Sequence, residues 1–212
     1  MLDIADLSSD QTLIQMQLAT LTVHEEAIDA VLSGDREAGR QVQRQDDDVD
    51  RLFGLICREF QRSLVDVRVS QGGNGLISFE YYTAARQLER VADHAEKIAT
   101  VAERIEKLPP EEVATELSAL GHQARDIVHR ALTGLLEGDD PQLLGVVVAD
   151  AETVVAEAEA LDRDLYERGL TDGYLLGSVV DSIVRTAEYG VNIAEAGIRV
   201  AVREPNSTFT HG

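Results

Sequence analysis

From Ile77 to Ile105 the apolar residues Ile77, Tyr81, Ala84, Leu88, Val91, Ala95, Ile98, Ala102 and Ile105 follow one another in alternating steps of four and three. Only a helix gathers such residues into one stripe, and this spacing keeps the stripe against neighbouring helices along its whole length. Around it Leu, Ala, Val and Glu dominate, β-branched residues do not alternate with polar ones, and Gly and Pro are sparse. The period is helical throughout, which predicts an all-α chain of six long helices.

Local signals place the helix ends. Ser8-Ser9-Asp10-Gln11 predicts a capping box opening a first helix that runs to about Leu32 and stops at Ser33-Gly34-Asp35. A second helix runs to about Leu64, and an irregular stretch from Val65 to Gly75 follows. The third ends near Glu106, ahead of Leu108-Pro109-Pro110. A fourth spans Glu111 to the Glu137-Gly138-Asp139-Asp140 turn, a fifth Pro141 to about Gly169, and a sixth Tyr174 to Pro205.

The halves repeat. Leu88–Ala99 lies over Ile183–Ala194 at a fixed offset of 95, pairing Arg90 with Arg185, Asp93 with Glu188 and Ile98-Ala99 with Ile193-Ala194. Ser33-Gly34-Asp35 matches Glu137-Gly138-Asp139 at an offset of 104, the difference arising if the long connection shortens to Gly169–Gly173 in the second half. The expected organisation is two tandem three-helix bundles, 1–107 and 108–205, with a disordered tail at 206–212.

Charge and cysteine content exclude other classes. Nineteen Lys and Arg face 39 Asp and Glu for a net charge of −20, which disfavours direct contact with nucleic acid. No window reaches the roughly 18 uncharged apolar residues of a membrane span, and the N-terminus has no secretory pattern, so no membrane insertion is expected. The lone Cys57 forms no internal disulfide and provides no thiolate zinc site, pointing to a reducing cytoplasm. Seventeen of the basic residues are Arg and only Lys97 and Lys107 are Lys, a skew that fits an acidic coat in a salt-adapted cytoplasm. Asn206-Ser207-Thr208 matches a glycosylation pattern that is empty without secretion.

Two acidic groups stand apart from that coat. Glu89 and Asp93 lie four residues apart on the third helix, and Asp47 and Asp50 lie three apart beside the expected buried stripe of the second, Val42, Val49, Phe53, Ile56 and Phe60. Like charges at helical spacing cost a few tenths of a kcal/mol, about 0.2–0.5, unless a cation reverses the sign. An all-oxygen set suits magnesium, manganese or iron better than zinc. The alternative reading of each pair is a solvated helix face. His94 turns about 100° from Asp93 and is expected at the surface or against a partner, not as a ligand.

Laying the fifth helix on the second by its apolar stripe pairs Val42 with Val147 and Val49 with Val154, and puts Glu152 at the place of Asp47 and Val155 at that of Asp50. On the sixth, Glu188 keeps the place of Asp93 while Val184 replaces Glu89, so a second site on Glu152 and Glu188 should bind more weakly. Sliding the fifth helix by one heptad offers Glu159 and Asp162 instead.

Gln45-Asp-Asp-Asp-Val-Asp-Arg-Leu52 together with Arg86-Gln-Leu-Glu-Arg-Val-Ala-Asp-His-Ala-Glu-Lys-Ile-Ala99 resembles the PhoU family of phosphate-uptake regulators over nearly the whole chain. The resemblance implies tandem three-helix bundles with a Glu/Asp-x-x-x-Asp motif on the third helix of each, which some members use to hold iron or other metals. Glu89 and Asp93 fit that motif, and Asp47 and Asp50 fit the acids of the preceding helix. It further implies a non-enzymatic cytoplasmic regulator, expected as a homodimer, that restrains phosphate import or phosphate-starvation signalling by contacting a transporter ATPase or a sensor kinase.

Two other readings compete. A di-iron oxidase or ferroxidase needs Glu-x-x-His twice, and the chain holds only a loose Asp126-x-x-His129. A dimerising helical bundle without metal is the other. No nucleophile–base pair, Gly-rich phosphate loop or Walker-type lysine is present, which argues against an enzyme.

Overall fold

The computed structural model describes residues 8–65 and 74–203. They form α1 (Ser9–Ser33), α2 (Arg36–Val65), α3 (Asn74–Arg104), α4 (Glu111–Glu137), α5 (Pro141–Arg168) and α6 (Gly173–Arg203). No helix among the described residues is long and apolar enough to cross a membrane. The expected irregular stretch lies largely outside them, at 66–73, as does the tail with Asn206.

The helix ends follow their local chemistry. Ser8 accepts a hydrogen bond from the Gln11 amide, and the Gln11 side chain accepts from the Ser8 N–H, completing the capping box. Gly34 at φ 67° and Gly138 at φ 71° close α1 and α4 in the left-handed region, where a Cβ is strained. The carboxylates of Asp35 and Asp140 then accept the first amides of α2 and α5, at 3.0 Å from Glu37 and 2.8 Å from Gln142. One cap stands in both repeats. The third helix stops at Arg104, earlier than expected, because Asp172 accepts the amides of Glu106 and Lys107 at 2.9 Å and draws that strand of chain onto the α5–α6 turn.

Each trio packs on itself: α2 on α1 and α3, and α5 on α4 and α6. Of the expected stripe, Ala84 to Ala102 on α3 and Ile105 just beyond it are buried while Ile77 and Tyr81 are half-buried; on the outer helices Val42, Val49 and Ile56 are buried like Val147, Val154 and Leu161, with Phe53 and Phe60 half-buried. The unshifted register matches the packing, for Asp162 lies against Gly177 as Phe53 and Phe60 lie against the equivalent Tyr82.

The bundles join through α1 on α4 and α3 on α6. α3 and α6 run antiparallel, crossing at Glu80–Arg199 (2.9 Å), Gln87–Asn192 (3.2 Å) and His94–Tyr189 (3.4 Å). His94 and Tyr189 occupy the same place in the two repeats, so the halves face each other about an internal twofold axis. His94 is therefore not at the surface. It is buried and tilted against the Tyr189 ring at 5.7 Å, because the face turned away from Asp93 is the face that meets the other bundle.

Beside it, wholly buried His24 of α1 has Nε2 at 3.1 Å from Thr186 Oγ1 and Nδ1 at 3.5 Å from an Arg125 guanidinium nitrogen. Thr186 donates to the Ser182 carbonyl, leaving its oxygen to accept from the imidazole N–H. Burial first, and then the Arg125 charge, hold His24 neutral, with its pKa lowered to about 3. Gln17 adds a bridge to the Val128 and His129 carbonyls of α4. The joint is a ladder of polar contacts set into apolar packing.

Candidate functional site

α2 and α3 present the four candidate acids along their shared outer edge. Val49 is fully buried between them, which turns Asp47 and Asp50 outward, and Leu88 and Val91 do the same for Glu89 and Asp93 on α3. Asp47, Asp50 and Asp93 are exposed, and Glu89 is half-buried. Burial raises the Glu89 pKa above the ordinary carboxylate value, Asp93 and Asp50 raise it further, and Arg86 and Arg90 pull it down. Glu89 thus sits within the field of acids on both helices.

Some acids of these two helices are held by arginine and others are not. Glu37 is paired with Arg40 and Arg44, Glu103 with Arg40, and Asp48 with Arg51, at 2.8–3.3 Å. Among the described residues Asp47, Asp50, Glu89 and Asp93 have no such partner within 4.0 Å. Nor, among those residues, do three His, Cys, Asp or Glu side chains converge closely enough to hold an ion as they stand. The chemistry of the donors suits a hard cation, with only oxygen on offer.

Two further features flank the acids. Arg86 lies near both Glu89 and Cys57, flanking the site with positive charge, and Cys57 of α2 sits at its edge with a thiol pKa raised by burial. The Arg86-x-x-Glu89 spacing, three residues on one helix face, was the available signal.

The second repeat is built differently. Glu188 is paired with Arg185 at 2.8 Å, Glu152 is exposed, and Val155 and Val184 are half-buried at the places of Asp50 and Glu89. At Asp126-x-x-His129, Asp126 is bound by Arg130 at 2.8 Å and His129 is exposed, so this pair does not turn into the bundle as a di-iron centre requires.

Comparison with known proteins bears on this arrangement. Residues 13–102 match the PhoU domain. The chain is 25% identical over 154 residues to a phosphate-specific transport system accessory protein PhoU homolog of Synechocystis, covering 70% of this chain and 67% of that protein. Its fold superposes on PhoU from Pseudomonas aeruginosa with a TM-score of 0.83 at 22% identity, covering 92% of this chain and 95% of the other. The phosphate transport system regulatory protein PhoU from Streptococcus pneumoniae gives 0.79 at 17% identity, covering 91% and 92%. The first repeat thus matches the PhoU domain, and the chain as a whole shares the fold of PhoU proteins.

Proposed function

We propose that this chain is an accessory regulator of phosphate uptake, a metal-bearing adaptor and not an enzyme, that restrains a phosphate transporter or phosphate-starvation signalling through a transporter ATPase or regulatory protein. In this reading it works in the cytoplasm of a salt-adapted cell, as a homodimer. The names of its relatives as accessory and regulatory proteins support the biological role. The observation that supports the metal is that half-buried Glu89 lies in the field of Asp93 on its own helix and Asp50 on α2, with none of the three held in an ion pair among the described residues.

Asp47, Asp50, Glu89 and Asp93 would hold iron, manganese or magnesium, with zinc disfavoured because these four donors are all oxygen and Cys57 at the edge is a lone thiol. Burial lifts the Glu89 pKa first and the Asp93 and Asp50 charges add to it; a cation there relieves that repulsion, so protonation and metal compete for the same carboxylate. Glu152 and Glu188 form at best a weaker second site, with Arg185 competing for Glu188. Melting with and without Mn²⁺ or Fe³⁺ tests this. A hundredfold excess over Kd stabilises the native chain by about 2.7 kcal/mol, and the Glu89→Ala/Asp93→Ala variant loses that gain. Equal melting of the two proteins with metal would count for the metal-free bundle.

A further inference from the structure

The outer seam of the second bundle is open. Three hollows of about 490, 270 and 270 Å³ follow one another between α4 and α5. They extend from Glu116 to Thr133 on α4, about 25 Å of helix at 1.5 Å per residue. The seam is open because small side chains face across it, Ala119 from α4 and Ala160 from α5, so the edges of Leu120 and Leu161 form its floor. At the far end Leu143 and Val146 stand 58% and 53% exposed on α5.

The walls are acidic. Glu116 and Glu157, one from each helix, rise exposed on either side of the largest hollow. The arginines lining the groove are already engaged: Arg130 with Asp126 and Asp150 at 2.8 Å, and Arg168 with Asp164 and, at 3.2 Å, with Glu112. α5 as a whole has seven acids and two arginines, whereas its counterpart α2 has six of each.

We propose that the groove between α4 and α5 receives an amphipathic helix of a partner protein, with an apolar stripe flanked by lysine or arginine. A straight groove between two helices is the seat a fourth helix takes in a bundle, ridges entering grooves, and the apolar floor calls for anchors at i, i+3, i+4 and i+7. Basic flanks answer the unpaired glutamates on the rims and select against acidic helices. A second copy of this chain, itself at −20, is the poorer occupant. The proposal rests on the adaptor reading only in taking the partner to be a protein, and its test uses neither metal nor phosphate, so either can fail alone.

The probe is a fluorescein-labelled 18-residue helical peptide with leucines at that spacing and lysines beside them, followed by anisotropy against the full chain. Ala160→Arg, which fills the groove, is expected to weaken binding about tenfold or more, while Leu64→Arg on α2 makes the same charge change at an exposed position of the other bundle and leaves it within about threefold. Should Ala160→Arg fail to fold by circular dichroism, Ala119→Arg blocks the groove from the facing helix. No binding by the native chain, equal weakening by both variants, or equal affinity for a peptide with glutamates in place of the lysines overturns the proposal. So does sedimentation showing a dimer of this chain that Ala160→Arg dissociates, which makes a second copy the occupant.

Discussion

The two repeats reach one fold by opposite placements of bulk. In the second, Leu144 of α5 lies between Gly134 and Gly197, where an added Cβ would come within 2.6 and 2.8 Å of its side chain. In the first, the equivalent of Leu144 is Gly39, which brings α2 so near α3 that a Cβ would lie 2.9 Å from the Ala99 carbonyl oxygen, and alanines 30 and 102 replace the two glycines. Complementarity is retained while identity is not. Charge obeys a different logic: valines at 155 and 184 stand where the first repeat has Asp50 and Glu89, and the three-helix packing is the same. The second repeat is thus an internal control showing that this fold does not require those acids.

That contrast can be broken where it is strongest. Leu144→Ala empties a buried contact and is expected to cost about 2–5 kcal/mol in urea unfolding, and Gly134→Ala alone about 1–3 kcal/mol from crowding. Together they should cost less than their sum, since the smaller side chain makes room for the methyl; strict additivity would refute the knob-and-hole account.

A gain of function probes the acids next. Val155→Asp with Val184→Glu restores the first repeat's pattern on the second, and the metal bound per chain, measured by calorimetry with Mn²⁺, should rise from the first site to include a second. Unchanged stoichiometry would mean that the valines are not what separates the repeats.

The smallest effect concerns pH. His24 belongs to the first repeat, and the second has Val128 in its place, with no proton to gain. With its folded pKa lowered from 6.5 to about 3, His24 binds a proton more readily in the unfolded chain, so its contribution is intact above pH 6.5 and is lost as pH falls from 6.5 towards 3. The loss is about 1.4 kcal/mol per pH unit, and His24→Gln should flatten the dependence of the urea midpoint between pH 7 and 5.

The helices, their caps and the tandem repeat are legible in the sequence because each rests on local spacing: the Ile77–Ile105 stripe, Ser8 with Gln11, and the Gly-Asp turns. The joint between bundles is not. Glu80, Gln87, His94 and Val101 recur at heptad steps and are all buried, yet three polar residues out of four read as a solvated face. Their burial depends on partners such as Arg199 and Asn192, more than 100 positions away. The acidic edge was legible as residue types on two helices, and Asp50 and Asp93 do act on Glu89. What spacing did not reveal is which acids are neutralised by arginine, since Arg40–Glu103 and similar pairs cross between helices.

The antiparallel crossing of α3 over α6 has an evolutionary consequence. Equivalent residues meeting across a twofold axis, as His94 meets Tyr189, is the contact pattern of two identical subunits in a closed dimer. In such a dimer every substitution is made twice. Here both halves lie on one polypeptide, so valine could replace acid on one side while the other kept its carboxylates, and a glycine could pass from one helix to its neighbour in a single half. Covalent linkage lets the two halves differ where identical subunits could not.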